Sequence, residues 1–322
     1  MNLLKIGAID IGSNGIRLYI ANVLEDDTET KVYKSHIHRI PLRLGEDVFT
    51  SGRVSELKRI NLIKIMQAFK LLMEVEQLKR FRVCATSALR DASNAAEIVA
   101  DVKKFAGIDI DIISYEEESS LMLLSRKSDY LRKGYTYIYM DLGGGSLDIT
   151  VFDEHQTITS DSFKLGTIRI LKDIATPEEM QRCKNWLAGI AKRYSRIQLI
   201  GTGGNINKIF KLTNISNNEP LTLKKLQKLK KQLESYNYND RMRFIELNPD
   251  RADVIIPAAE LFASIMEWTG IHEITVPIVG LSDGIVVDQY MKYAADVHSG
   301  KKLASLEITQ NVSEYDNGKL QD

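Results

Sequence analysis

Two short stretches decide the fold: DIGSNGIR at residues 10–17 and DLGGGSLD at residues 141–148. Both run Asp, aliphatic, Gly, three small residues, aliphatic and a charged residue. Each lies between two segments with strand-like composition, KIGAID and IRLYIANVL in the first case, YTYIYMD and LDITVFD in the second. The two stretches lie 131 residues apart (141 − 10). This internal repeat predicts two related halves, each with a strand–turn–strand unit.

Strand and helix patterns alternate through both halves, which predicts an α/β fold with mixed sheets. Residues 32–44 are expected to be extended, and helical periodicity predicts helices over 54–78, 93–107 and 116–131. The second of these is expected to begin at an N-cap at Ser93 and to stop at Gly107. The first is expected to be long and well buried on the face where apolar positions recur at helical spacing. That face carries Leu57, Ile60, Lys64, Ala68 and Leu71.

The repeat also predicts the domain organisation. We place the boundary near residue 124, which gives an N-terminal domain over 1–124 and a C-terminal domain over 125–300. The composition turns polar after Gly300, so residues 301–322 are expected to form a frayed polar tail.

Composition limits the choice of partners. The chain has 322 residues, with 43 Lys+Arg and 43 Asp+Glu, so its net charge is zero and no bulk positive field draws it to a polyanion. No apolar run approaches the ~18 residues of a membrane span, and the N-terminus reaches Asp10 too soon for a secretory signal. Cys84 and Cys183 form no Cys-x-x-Cys motif. We therefore expect a cytoplasmic protein with neither a nucleic acid nor a membrane as partner, which binds any polyanion through local geometry.

The glycine turns indicate phosphate chemistry. Such turns expose consecutive backbone N–H groups, which bind phosphate oxygens where side chains would block the approach. A carboxylate beside bound phosphate is unfavourable unless a divalent cation lies between them. Asp10 and Asp141 are therefore predicted Mg²⁺ ligands, and Asp148 on the return strand could face the same ion. One such turn alone could equally be a tight hairpin, but two matching turns favour the phosphate interpretation.

Two other phosphate-binding classes are disfavoured. The turns lack the Lys-Ser/Thr of a Walker loop, and the two D-x-G turns lead into strands rather than helices. A P-loop enzyme and a Rossmann dehydrogenase are therefore not expected.

Seven motifs in chain order carry a family resemblance: AIDIGSNGIRL, ATSALRDASN, ISYEEESSLM, MDLGGGSLDI, IGTGGNINKI, PDRADVIIPAAE and VGLSDGIVVD. Together they resemble the exopolyphosphatase / guanosine pentaphosphate phosphatase family, over roughly residues 5–290. The resemblance implies two ribonuclease-H-like (actin-like ATPase) domains with the active site in the cleft between them. It also implies Mg²⁺-dependent release of terminal phosphate from polyphosphate or from the guanosine nucleotide. A homodimer is common in that family, but no feature of this sequence establishes one.

The resemblance also assigns roles to residues. Glu118 matches the catalytic carboxylate that orients and deprotonates the attacking water, and Asp141 and Asp148 match metal-binding positions. Without the resemblance, Glu118 would be interpreted as part of a solvated helix start and Arg90 as a surface residue. The positions that match phosphate contacts are Ser13, Asn14, Arg90, Gly143, Gly144, Gly145 and Ser146, with Arg251 as a weaker candidate.

Three departures from the family pattern bear on the substrate. Arginines of the family are replaced by Ser120 and Ser282, and Gly15 stands where Ser is common. We expect these changes to weaken the grip on a long anionic chain. The leading hypothesis is a hydrolase of short polyphosphate. Two alternatives stay open: a guanosine pentaphosphate 5′-phosphatase, and a nucleotide- or polyphosphate-binding sensor with little turnover.

Overall fold

The first half of the chain folds around one sheet. The structure is a computed structural model that describes residues 2–26, 29–125, 131–153, 156–216, 219–277, 279–297 and, as a strand, 305–309. The elements of the first half are β1 (Asn2–Ile11), β2 (Ile16–Glu25), β3 (Glu29–Ile40), α1 (Leu44–Ser51), α2 (Glu56–Val75), β4 (Arg80–Ala85), α3 (Ser87–Asp91), α4 (Ala95–Ala106), β5 (Asp111–Ile112) and α5 (Tyr115–Leu124).

The second half begins with the same kind of hairpin and ends in a long helix. Its elements are β6 (Thr136–Leu142), β7 (Leu147–Phe152), β8 (Thr157–Phe163), α6 (Thr167–Leu171), α7 (Pro177–Arg193), β9 (Ile197–Thr202), α8 (Gly204–Leu212), β10 (Leu221–Thr222), α9 (Leu223–Glu234), α10 (Tyr238–Phe244), α11 (Pro249–Ala252), α12 (Ile255–Thr269), β11 (Glu273–Thr275), α13 (Leu281–Val297) and β12 (Ser305–Thr309).

The two sheets share the topology of five strands, and each has one further strand, at opposite edges. The first has the order β12-β3-β2-β1-β4-β5 and the second the order β10-β11-β9-β6-β7-β8. In the first half β1, β2 and β3 are antiparallel neighbours while β4 and β5 run parallel to β1; β6, β7, β8, β9 and β11 repeat this arrangement. The predicted repeat of two α/β halves with mixed sheets is thereby confirmed.

Helix α2 exists as predicted, but its buried face was predicted wrongly. The five residues expected inside, Leu57 to Leu71 at helical spacing, are all exposed, and Leu71 retains 63% of its surface. The face that packs on the sheet carries Leu62, Ile65, Met66, Phe69 and Met73. Apolar residues occur on both sides of this helix, so spacing alone could not choose between the faces.

The buried face of α2 can be tested by measuring the stability of two variants. Replacing the fully buried Leu62 by Ala should lower the free energy of unfolding by about 2–5 kcal/mol, because it removes packed atoms and leaves a cavity. The matched change Leu71→Ala, on the exposed face of the same helix, should shift it by no more than about 0.5 kcal/mol. Urea unfolding of the two variants measures both values. Equal losses would show that the face is assigned wrongly.

Two other local predictions need correction. Helix α1 was not foreseen; it starts after Arg43, whose backbone is left-handed at φ 54°, and no side chain caps it, so its sequence carries no start signal. The N-cap of α4 is Asn94 rather than Ser93, and its amide bonds the backbone of Val54 instead of the helix. The predicted helix over 116–131 is helical to Leu124, and residues 126–130 lie outside the described part of the chain.

The predicted boundary near residue 124 falls between β5 and β6, but β12 returns to the first sheet and two helices pack across it. Helix α13, which the sequence assigned to the C-terminal domain, packs on β1, β2 and β4 of the first sheet. In the other direction α5 reaches β7 of the second sheet. The two helices cross closely at Gly284, where an added Cβ would lie 1.8 Å from the Leu121 carbonyl oxygen. Each half therefore covers part of its partner, and α5 is carried into the cleft.

The far C-terminal region is described in part. Within the predicted polar tail, Ser305–Thr309 forms β12, which pairs in parallel with β3. The other residues of 301–322 lie outside the described chain. Across the described residues, no helix has both the length and the apolar character needed to span a bilayer.

Candidate active site

The two glycine turns are built alike. In each, the first glycine N–H donates to the carbonyl of the fourth residue: Gly12 to Gly15 at 3.1 Å, and Gly143 to Ser146 at 3.0 Å. The turns join β1 to β2 and β6 to β7, so both D-x-G motifs lead into strands as predicted. Similar sequences have thus produced the same closed hairpin twice.

The second turn directs its N–H groups away from α6. Its three glycine carbonyls are all bound from one side, by the start of that helix. The donors are the Thr167 N–H to Gly143 at 3.0 Å, the Ile168 N–H to Gly144 at 2.9 Å, and Arg169 Nε to Gly145 at 2.8 Å. Because a carbonyl and the following N–H point in opposite directions across a planar peptide, the N–H groups of residues 144–146 face the other side. A set of aligned N–H groups is a binding site for anionic oxygens.

The first turn is held in the same way. The Ser13 carbonyl accepts from the Gly45 N–H at 2.9 Å and the Asn14 carbonyl from the Arg43 N–H at 3.3 Å. Both donors lie at the start of α1, which follows β3 as α6 follows β8. The helix missed by sequence analysis is therefore the element that orients the first phosphate turn.

The turns meet across the cleft. A Cβ added to Gly144 would lie 3.0 Å from Ser13 Cβ, and one added to Gly145 would lie 2.5 Å from Ser87 Oγ and 2.4 Å from the Phe49 ring. Side chains would force the turns apart, which explains the glycines at these positions. Both turns open into one pocket. Its lining includes Asp10, Ser13, Asn14, Glu118, Asp141, Gly143, Gly144, Ser146, Asp148 and Arg251 among the predicted site residues.

Glu118 is buried in this pocket, whereas the side chain of its neighbour Glu117 is 44% exposed. Helix α5 begins at Ser114, whose hydroxyl accepts the Glu117 N–H, and it directs Glu118 toward β7. Burial, followed by the charge of Asp148, holds the pKa of Glu118 well above its usual range against the opposing effect of Arg90. A buried carboxylate with a raised pKa is a suitable proton acceptor.

Arg90, which was predicted to contact phosphate, lies beside Glu118. Its Nη1 donates to Glu118 Oε2 at 3.1 Å and to the Ile113 carbonyl at 2.7 Å. Arg90 is not among the pocket-lining residues, and neither is Gly145. In this structure Arg90 therefore holds Glu118.

The three predicted metal ligands lie in the pocket at different depths: Asp148 is buried, and Asp10 and Asp141 are half-buried. Asp141 lies opposite Asp148 on paired strands, and burial followed by the Asp148 charge raises the pKa of Asp141 to about 7. Burial also raises the pKa values of Asp10 and Asp148. Asp148 accepts hydrogen bonds from the hydroxyls of Ser146 at 2.8 Å and Ser162 at 2.5 Å. Among the described residues no three His, Cys, Asp or Glu side chains are placed to hold a metal by themselves.

A cationic wall faces these carboxylates, and sequence analysis had named only one of its members. Arg17 Nη1 donates to Asp10 at 3.3 Å, Arg39 pairs with Asp250, and Arg251 bonds Asn205. Burial, followed by the charge of Arg39, lowers the pKa of Arg251 to about 9. Arg17 could have been predicted, because it is the charged residue that ends the first turn motif. No motif or repeat in the sequence points to Arg39.

Ser120 and Ser282, which stand where the family has arginine, do not supply a cation to the pocket. The Ser120 hydroxyl donates to the Glu116 carbonyl of its own helix at 2.8 Å. The Ser282 hydroxyl is buried and has no hydrogen-bond partner among the described residues. The cations in the pocket come instead from Arg17, Arg39 and Arg251.

Comparisons with known proteins agree with this geometry. The model of the Ppx/GppA phosphatase family matches residues 27–293. Exopolyphosphatase 2 of Mycobacterium tuberculosis is 26% identical over 316 residues, covering 89% of this chain and 99% of that protein. The putative exopolyphosphatase of Haemophilus influenzae is 21% identical, covering 88% and 91%.

Solved structures show the same fold. An exopolyphosphatase from Cytophaga hutchinsonii superposes with a TM-score of 0.76 at 20% identity, covering 94% of this chain and 100% of that one. The Aquifex aeolicus member of the Ppx/GppA family gives a TM-score of 0.70 at 22% identity, covering 91% and 99%. At these identities the similarity concerns the fold, and the chemistry depends on the residues in the pocket.

Proposed function

The chain belongs to the Ppx/GppA phosphatase family, and from this we propose that it is a Mg²⁺-dependent hydrolase that releases terminal phosphate from short inorganic polyphosphate. One observation carries the proposal: both N–H-presenting turns and the buried Glu118 open into a single pocket. Phosphoryl transfer needs positioning and charge neutralisation more than covalent chemistry, and this pocket supplies both.

The residues of the chain divide the reaction between them. The N–H groups of residues 13–15 and 144–146 bind the oxygens of the terminal phosphate. Glu118 orients a water and accepts its proton as the water oxygen attacks phosphorus. The bond between phosphorus and the bridging oxygen breaks, and its electron pair leaves with the shortened chain. Arg90, bonded to Glu118 at 3.1 Å, keeps the carboxylate directed at the water.

The donor set fits a magnesium ion that shares its coordination with the substrate. Mg²⁺ commonly uses one or two carboxylates together with phosphate oxygens and water, so three protein ligands are not required. Asp10, Asp141 and Asp148 line the same pocket, and the negative charges of Asp148 and Asp10 add to the effect of burial in raising the pKa of Asp141. Asp141, with Asp10 or Asp148, would hold the ion. When bound, it would neutralise phosphate charge as the transition state forms.

The metal can be tested through stability. Since the folded pKa of Asp141 is raised from 3.8 to about 7, its protonated form stabilises the fold, and this contribution is lost as pH rises from about 4 through 7. In EDTA the difference in Tm between Asp141→Asn and the wild type should therefore grow in favour of the variant between pH 5 and pH 8. Mg²⁺ should raise the Tm of the wild type more at pH 8 than at pH 5, and that of Asp141→Asn less.

Asp101→Asn serves as the matched control, because Asp101 pairs with Arg59 on α2, away from the pocket. It should keep the Mg²⁺ response of the wild type. If Mg²⁺ raises the Tm of Asp141→Asn as much as that of the wild type at pH 8, Asp141 is not a ligand.

The substrate class is tested by comparing phosphates of different chain length with guanosine pentaphosphate. Phosphate release is measured from pyrophosphate, tripolyphosphate, long-chain polyphosphate and guanosine pentaphosphate at equal concentration with Mg²⁺. We expect the highest kcat/KM with tripolyphosphate. Preference for guanosine pentaphosphate would favour the nucleotide 5′-phosphatase, and tight binding without release would favour the sensor.

A further inference from the structure

Arg39 enters the pocket close against Gly15. It lies on β3, and its guanidinium occupies the region where residue 15 would carry a side chain. A Cβ at position 15 would lie 3.1 Å from Arg39 Nη2 and 3.3 Å from its Cζ. This is tighter than ordinary van der Waals contact, so an alanine at position 15 would force the guanidinium to shift by a few tenths of an ångström.

Arg39 is also held in place from the opposite side. Its Nη2 pairs with Asp250, whose side chain is 3% exposed. Asn14 Nδ2 bonds the same residue twice, at 2.9 Å to its carbonyl and 3.3 Å to its carboxylate. The first phosphate turn and Arg39 are thereby fixed to one buried anchor, although Asn14 and Asp250 are 236 residues apart.

Arg39 lies close to two other arginines of the pocket. Arg17, Arg39 and Arg251 lie together at this end of the pocket, with Asp10 and Asp250 as the carboxylates paired to them. Clustered guanidinium groups in a buried site repel one another unless an anion lies between them.

Glu118 and the three arginines have different hydrogen-bond partners in and around the pocket. The charges that act on Glu118 are those of Asp148, Arg90 and Asp141. In-line displacement places the attacking water and the leaving group on opposite sides of phosphorus. We therefore expect the leaving group on the side of Arg17, Arg39 and Arg251, away from Glu118.

Building on the hydrolase function above, we propose that Arg39 binds the phosphate next to the one released, and so selects substrates whose leaving group is itself a phosphate. The planar guanidinium donates two parallel hydrogen bonds to phosphate oxygens, which suits this role. Gly15 permits the contact, and Asp250 positions the guanidinium for it.

The test measures binding in the Glu118→Gln background, where substrate persists. Isothermal titration with tripolyphosphate and with orthophosphate, both with Mg²⁺, gives the two dissociation constants. Adding Arg39→Gln should raise the Kd for tripolyphosphate about 10- to 100-fold, and that for orthophosphate less than about twofold. Arg59→Gln removes an arginine paired with Glu56 and Asp101 on α2 and α4, and should change neither.

Gly15→Ala provides an independent variant, because Arg39→Gln leaves Asp250 without its cation and could disturb folding. It should weaken tripolyphosphate binding in the same direction, and its effect should vanish when Arg39 is already Gln. Arg39→Lys, which keeps the charge without the fork, should give an intermediate Kd. An unchanged Kd in Arg39→Gln and Gly15→Ala, or equal losses for the two ligands, would overturn the role of Arg39.

Phosphate release by the wild-type chain separates this inference from the proposed function. If Arg39→Gln weakens tripolyphosphate binding while the wild type releases no phosphate, Arg39 keeps its binding role and the hydrolase proposal fails. If release is rapid and Arg39→Gln leaves binding and rate unchanged, the hydrolase stands and the role of Arg39 fails.

Discussion

Replacing Glu118 by Gln is expected to slow phosphate release by about 10²- to 10⁴-fold, the range that a positioned general base contributes. Gln has nearly the same shape and can still accept a hydrogen bond from Arg90, but it cannot take a proton from water. Because burial holds the pKa of Glu118 well above its usual range, the charged form is costly, and the neutral amide should be tolerated by the fold. A large loss of rate with no loss of thermal stability is therefore expected.

The matched control is Glu117→Gln on the same helix. Glu117 pairs with Arg82 at 2.6 Å outside the pocket, and its replacement should change the rate less than about twofold. Steady-state phosphate release and tripolyphosphate binding are measured for both variants. Glu118→Gln should lose kcat while the substrate Kd stays within a few fold. Similar rates for the two variants would remove Glu118 from its catalytic role.

Replacing Gly166 by Ala is expected to abolish most activity by displacing the second turn. An added Cβ would lie 2.3 Å from the Gly144 carbonyl carbon and oxygen and from the carbonyl carbon of Gly145. These are backbone atoms of the turn, so they cannot rotate away as a flexible side chain would. Overpacking of this kind costs about 1–3 kcal/mol, and a shift of about 1 Å at a reacting group can cost about 100-fold in rate.

Gly189 in α7 supplies the control for the same Gly→Ala change. No described atom lies within 4 Å of the Cβ that Gly189 would gain, so Gly189→Ala should raise the free energy of unfolding by up to about 1 kcal/mol. Urea unfolding and phosphate release are measured for both variants. A wild-type rate in Gly166→Ala would mean that the geometry of the second turn does not limit the reaction.

The parts of the fold that were predictable depend on local sequence. A glycine turn between two alternating strands specifies a hairpin within eight residues, and its recurrence reveals the two halves. The buried face of α2 depends on what packs against it, and the helix has apolar residues on both sides. Helix α1 has neither a side-chain cap nor a long repeat, so its existence depends on contacts to the first turn.

The site was predictable where a residue belongs to a motif and not where it meets a distant partner. Glu118, Asp141 and the glycines came from ordered motifs, and most of them line the pocket. Arg39 meets Asp250 across 211 residues, and no periodicity in the sequence pairs them. The motif predicts that Arg90 contacts phosphate, but it gave no sign of the hydrogen bonds from Arg90 to Glu118 and to the Ile113 carbonyl.

The crossing of α5 and α13 makes the chain one cooperative unit despite its two sheets. Unfolding the second half would strip α13 from the first sheet and expose the apolar surface it covers, and unfolding the first half would withdraw α5 from the second. We therefore expect neither half to be stable alone, in contrast to domains joined by a simple linker. An anion bound between the turns is expected to stabilise both halves against unfolding. The reason is that α5, the helix that carries Glu118, connects the two halves.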